Sequence, residues 1–265
     1  MLTDHYPQIR GLILDMDGVL WHDSQPIGNL PEIFSKIDSL GLKVTFATNN
    51  ATRNVNEVLK KLTNFGVRIN PEQIVTSGDA TLRYLLRHYA PTSRVYVLGS
   101  ESLREQVRKN GFTLIDEQEP VNADVVLVGL DPQVNYQKLA DAGLLIRAGA
   151  KFIATNTDAT YPTPRGLMPG AGTVVAAVIA ASGQEPLVIG KPKPTMFEQA
   201  MEIMGTQPSE TLCIGDRLET DVLGGQNAGC PTALVLTGVS TLEQANAWQP
   251  QPTIITKDLS SLIYD

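Results

Sequence analysis

Short apolar runs alternate with amphipathic stretches along the whole 265-residue chain, and this alternation restricts the fold more than any other feature. GLILD (11–15), KVTFATN (43–49), RVYVLG (94–99), DVVLVGL (124–130), KFIATN (151–156), LVIGK (187–191), TLCIGD (211–216) and TALVLTG (232–238) read as buried strands. Segments 54–66, 101–110, 135–149, 173–183, 194–204 and 218–228 read as helices, the first closing on Gly66. Strand–helix alternation implies an α/β fold of parallel sheets covered by helices. The strand candidates exceed what one doubly wound sheet holds at this length. The chain is therefore divided into a core of residues 1–77 plus 186–265 and an inserted α/β unit of residues 78–185.

Composition narrows the partners. A net charge of −7 disfavours nucleic acid and anionic lipid. It also means that an anionic substrate needs a local cationic or metal site. Cys213 and Cys230 are too few and too widely spaced for a zinc motif and read as small buried hydrophobes. His5, His22 and His88 lack metal-ligand spacing. The first residues do not pattern as a signal peptide, and no run approaches the ~20 apolar residues of a membrane span, so a soluble, cytoplasmic protein is expected.

Four stretches place chemistry-bearing residues just past strand ends, where open α/β sheets bind ligands. In LILDMDGVLW, Asp15 ends a strand, Asp17 follows two residues later, and Gly18 permits a sharp turn. Crowded carboxylates call for a cation, most simply Mg²⁺, although Asp and Gly are also ordinary strand-exit residues. In GDRLETD, Asp216 offers a further ligand. Asp221 can orient a metal-bound water or a lysine, or simply cap a helix. In VIGKPKP, Lys191 can neutralise a phosphate, or remain a solvated loop lysine, which suits Lys193 better. In FATNNAT, Thr48, Asn49, Asn50 and Thr52 form either a phosphate cradle or plain capping. Each stretch alone is ambiguous. Together they gather acidic, hydroxyl and amine groups at one sheet edge, which capping does not require.

These four stretches, in this order, resemble the motifs of the haloacid dehalogenase (HAD) superfamily. DMDGV matches its first motif, Thr48 its second, Lys191 its third and GDRLETD its fourth. DMDGVLW, ATNNATR, PGAGT (169–173) and GKPKP are similar to the NagD-like class with a large α/β cap, which includes 4-nitrophenylphosphatases and phosphatases of phosphoglycolate, pyridoxal phosphate, sugars and nucleotides. The resemblance implies an Mg²⁺-dependent phosphatase acting on small-molecule phosphate esters. Asp15 would be the nucleophile and Asp17 the general acid and base. Thr48, Asn49, Asn50 and Lys191 would hold the phosphoryl group. The metal would be bound by Asp15, the Asp17 carbonyl and Asp216, with Asp221 beside them. The cap would set specificity through Tyr161, Arg165 and Met168, in a stretch that also reads as a rigid Pro/Gly loop, and relatives often dimerise through it. Pyridoxal phosphate relatives carry a histidine near the position of Tyr161, which lowers that substrate.

Two other readings stay open at this stage. A phosphomutase or other phosphotransferase of the same superfamily would use the same residues, whereas a dehalogenase would not need Asp17. A non-catalytic phosphate-binding module such as a receiver domain is disfavoured, because its phosphorylated Asp lies on a middle strand of a much shorter chain.

Overall fold

The computed structural model describes residues 2–50, 55–115, 122–163 and 165–264. The chain forms two compact units: Met1–Thr48, Val55–Val75 and Lys191–Asp265 make the first, and Asn49–Asn54 with Thr76–Gly190 make the second.

The first unit is built on a sheet with strand order Ile254–Thr256, Thr232–Val235, Thr211–Gly215, Gly11–Leu14, Lys43–Thr48, Ile74–Thr76. Gly11–Leu14 runs parallel to both neighbours, with Leu14 opposite Ile214 on one side and Phe46 on the other. All four of its residues are buried, as expected of a strand covered on both faces. Leu12, Leu14, Phe46, Leu212, Ile214 and Val235 pack with Ile33 and Ile37 of helix Leu30–Ser39 in one core cluster. That helix falls in a stretch the periodicity leaves unassigned. Strand Ile254–Thr256, with only half-buried residues, carries no such pattern either.

The second unit has its own parallel sheet, ordered Leu187–Val188, Lys151–Ala154, Val125–Val128, Arg94–Leu98, Thr113–Ile115. Its core gathers Tyr96, Leu98, Val126, Val128, Phe152 and Val178. The sequence pattern puts the strand at 187–191 in the core sheet. Instead Leu187 pairs with Ile153 and Val188 with Ala154, because Ile189 and Gly190 continue the ladder through N–H bonds to the Ala154 and Thr155 carbonyls. The Pro/Gly-rich stretch after 155, also read as a rigid loop, contains an antiparallel hairpin, Thr160–Thr163 against Gly166–Pro169. Gly172, at the start of helix Ala171–Ser182, lies so close to the Thr157 carbonyl that a Cβ would not fit.

Candidate active site

Three neighbouring strand exits supply the site. Asp15 directly follows Gly11–Leu14, and its N–H extends the ladder to the Ile214 carbonyl at 2.8 Å. The chain then turns tightly: Leu20 N–H returns to the Met16 carbonyl at 2.8 Å, and Gly18 takes φ +82°, which favours glycine. Thr48 is the buried last residue of the adjoining strand. On the other side Asp216 follows Thr211–Gly215.

Lys191 ties these exits together. Its ammonium donates to Asp15 Oδ1 at 2.6 Å, to Asp221 Oδ1 at 2.6 Å and to the Ala47 carbonyl at 3.0 Å. Lys191, Asp216 and Asp221 are 3%, 3% and 4% exposed, so these charges interact where water screens them little. Burial disfavours the Lys191 ammonium, but Asp15 and Asp221 outweigh it and raise the lysine pKa, keeping it cationic. Burial also lifts the Asp15 carboxyl well above the usual range. Lys191 opposes that rise, while Asp221 and Asp216 add to it.

Asp216 is built into a slot. Its Oδ2 accepts the Val239 N–H at 2.8 Å, and its carbonyl accepts the Ser240 N–H at 3.0 Å. A Cβ on Gly18 would lie 2.6 Å from Asp216 Oδ2, and one on Gly238 would collide with the same carboxylate. Thr237 Oγ1 donates to the Gly18 carbonyl at 2.6 Å. Burial, then Asp221, raise the Asp216 pKa to about 6, against the Val239 N–H and Arg217. Asp221 Oδ2 accepts the Arg217 N–H at 3.1 Å.

Asp15, Asp216 and Asp221 each place a carboxylate oxygen within 4.8 Å of the others. Three such carboxylates against one ammonium form a hard, oxygen-only donor set with excess negative charge, which fits a divalent cation of the Mg²⁺ type.

The remaining expected residues separate into groups. Asp17 is exposed, and its Oδ1 accepts the Trp21 indole N–H at 2.7 Å. The Asn49 carbonyl accepts from Ser77 Oγ and Asn156 Nδ2, and its Nδ2 donates to Asp158 Oδ1 at 3.1 Å, so its side chain is engaged within the second unit. Asn50 is half-buried. Thr52 lies outside the described residues. Tyr161 and Met168 face each other across the hairpin, and the exposed Arg165 precedes its second strand. Sequence reasoning missed the Thr237–Ser240 segment and Trp21. The segment's one signal is a polar TGVS run at a strand end. Trp21 closes the matched DMDGVLW stretch, but a tryptophan in an apolar run reads as core.

A parallel sheet with acidic groups and a buried lysine at its central strand exits has the layout of a phosphoryl-transfer enzyme. A haloacid dehalogenase-like hydrolase model matches residues 12–113, and a second HAD-hydrolase-like model matches residues 188–262. The chain is 37% identical to the 5'-nucleotidase YutF of Bacillus subtilis, over 96% of this chain and 97% of that protein. It is 36% identical to an acid sugar phosphatase of Staphylococcus aureus, over 97% of each. The structure of a glycerol phosphate phosphatase from Mycobacterium tuberculosis, solved in complex with magnesium, superposes with a TM-score of 0.88 at 37% identity, covering 97% of this chain and 77% of that one. The chain belongs to the haloacid dehalogenase-like hydrolases. Its place among them is with the phosphatases, which hydrolyse phosphoric monoesters. Among the described residues no helix is long and apolar enough to cross a membrane.

Proposed function

We propose that this protein hydrolyses small-molecule phosphate monoesters through an aspartyl phosphate on Asp15, with Mg²⁺ held by Asp15, Asp216 and the Asp17 carbonyl. The observation that carries the reading is the Lys191 ammonium bridging Asp15 and Asp221 beside Asp216.

Lys191 donates to Asp15 Oδ1, which holds the carboxylate in one orientation for attack on phosphorus. Attack forms the Asp15 O–P bond and breaks the bond from phosphorus to the leaving oxygen. Asp17 supplies that oxygen's proton, then takes one from the water that cleaves the acyl phosphate. Lys191 and Thr48 face the equatorial oxygens, whose charge must be neutralised for in-line transfer. Asp221 holds Lys191 in place as phosphate competes for its ammonium. Bound Mg²⁺ supplies Lewis-acid charge stabilisation.

Sugar phosphates, nucleotides, glycerol phosphate, phosphoglycolate and 4-nitrophenyl phosphate form the test panel for the purified protein with Mg²⁺. Hydrolysis of at least one is expected. Release in ¹⁸O-water should place label in the phosphate, as transfer to water requires. Asp15→Asn should lower turnover by on the order of 10³-fold or more, as for other covalent nucleophiles. A panel that stays untouched would remove the reading, and undiminished turnover in Asp15→Asn would remove the proposed nucleophile.

A further inference from the structure

Trp21 has no part in the chemistry described above, yet its indole Nε1–H donates to Asp17 Oδ1 at 2.7 Å. The ring is fixed. Trp21 is 2% exposed, its ring centroid lies 5.8 Å from that of Phe65, and Lys61 Nζ sits 4.0 Å from the centroid. Lys61 is itself fastened to the Asp23 carbonyl at 2.6 Å, and an ammonium on the π face makes the indole N–H a stronger donor. The backbone closes the same loop, with Gly18 N–H donating to the Trp21 carbonyl at 2.9 Å. An exposed aspartate is thus held by a buried, immobile ring.

We infer that Trp21 is a positioning residue that fixes Asp17 Oδ1 as a permanent acceptor and assigns proton transfer to Oδ2. This inference rests on the phosphatase reading. An indole N–H donates and never accepts. Oδ1 therefore accepts from Trp21 whether Asp17 is ionised or protonated, and the proton given to the leaving oxygen and regained from water travels on Oδ2. The second oxygen is held in one orientation through both steps, which spares the rotamer search of an unanchored side chain. The benefit concerns esters whose leaving oxygen needs a proton. Alkyl phosphates depart as alkoxides unless protonated, whereas 4-nitrophenolate departs unaided.

Trp21→Phe keeps the apolar body and deletes the N–H. kcat/KM is measured for the wild type and the variant over a series of phosphate esters, from 4-nitrophenyl through phenyl to alkyl. The expected result is a loss of about tenfold or more on alkyl esters, a share of the ~10²–10⁴-fold that general acid catalysis contributes. For 4-nitrophenyl phosphate the expected loss is within about threefold, so the dependence on leaving-group pKa steepens. An equal loss across the series marks a purely structural role and overturns the inference, as does no loss at all. Should Trp21→Phe fail to fold, the contact is read directly. The chain has 2 tryptophans, so ¹⁵N-labelled indole gives two resonances, and Asp17→Asn should move one of them. Two unmoved resonances overturn the inference. A wild type inactive on every ester removes the phosphatase reading and this role together. Wild-type turnover with an unchanged leaving-group dependence in Trp21→Phe removes the role alone.

Discussion

Of the four charged groups gathered at the strand exits, Asp216 has a pKa that falls within the working range of an enzyme. Its carboxyl is raised from 3.8 to about 6, so without a cation the folded state binds a proton there that the unfolded chain releases. The corresponding stability is fully present below about 3.8 and is lost as pH rises through about 6. Asp15, raised by burial, acts in the same direction. A divalent ion bound by these carboxylates competes with the protons. The rise in Tm on adding Mg²⁺ should therefore be small at pH 5 and larger at pH 7.5. Thermal melts in Mg²⁺ and in EDTA at the two pH values check this, and an equal gain at both would argue against these carboxylates as the ion's ligands. The residues behind this prediction are legible in the chain. Asp15 and Asp216 each end an apolar run, where a buried parallel strand meets its exit. The proton affinity of Asp216 is not legible, because it depends on burial first, then on Asp221 and the Val239 N–H, all set by tertiary packing.

At the scale of elements, the turn after strand Thr232–Val235 governs how Asp216 is aimed. It delivers a backbone N–H to the carboxylate, a hydroxyl to the Gly18 carbonyl, and a glycine where any side chain would strike Asp216. Gly238→Ala should accordingly push the carboxylate aside and weaken Mg²⁺ binding about 10–100-fold, the usual effect of disturbing the groups around metal ligands. Titration calorimetry of the variant measures it, and an unchanged affinity would show that the turn does not aim the ligand. Periodicity identified the strand that leads into this turn and said nothing of what the turn touches. The same limit explains other misses. Leu187–Val188 is a recognisable apolar pair, but no local pattern says that its partner is Lys151–Ala154. The hairpin over 160–169 carries Pro162 and Pro169, which argue against strand until the pairing of only two short strands is seen. Trp21 looks like any core aromatic in the sequence, and its indole bond to Asp17 sets it apart in the structure.

For the whole molecule, the allocation of residues between the two units matters most. Asp15, Lys191, Asp216 and Asp221 all belong to the first unit, while the Tyr161–Met168 pair belongs to the second. If the second unit selects among esters, Tyr161→Ala should change the ranking of kcat/KM across the substrate panel and leave Mg²⁺ affinity as in the wild type. A substrate panel and a calorimetric titration on the same variant test both halves of that expectation, and a proportional loss on every ester would count against selection by this hairpin. Thr48 and Lys191 stand at the last and first positions of first-unit segments, each next to residues of the other unit. Between them, Thr76–Gly190 lies wholly in the second unit, so descent can rewrite most of it without altering the carboxylates or the lysine. If the second unit sets ester choice, a lineage carrying this arrangement can acquire new metabolite preferences by drift in one contiguous stretch of gene while inheriting its chemistry unchanged.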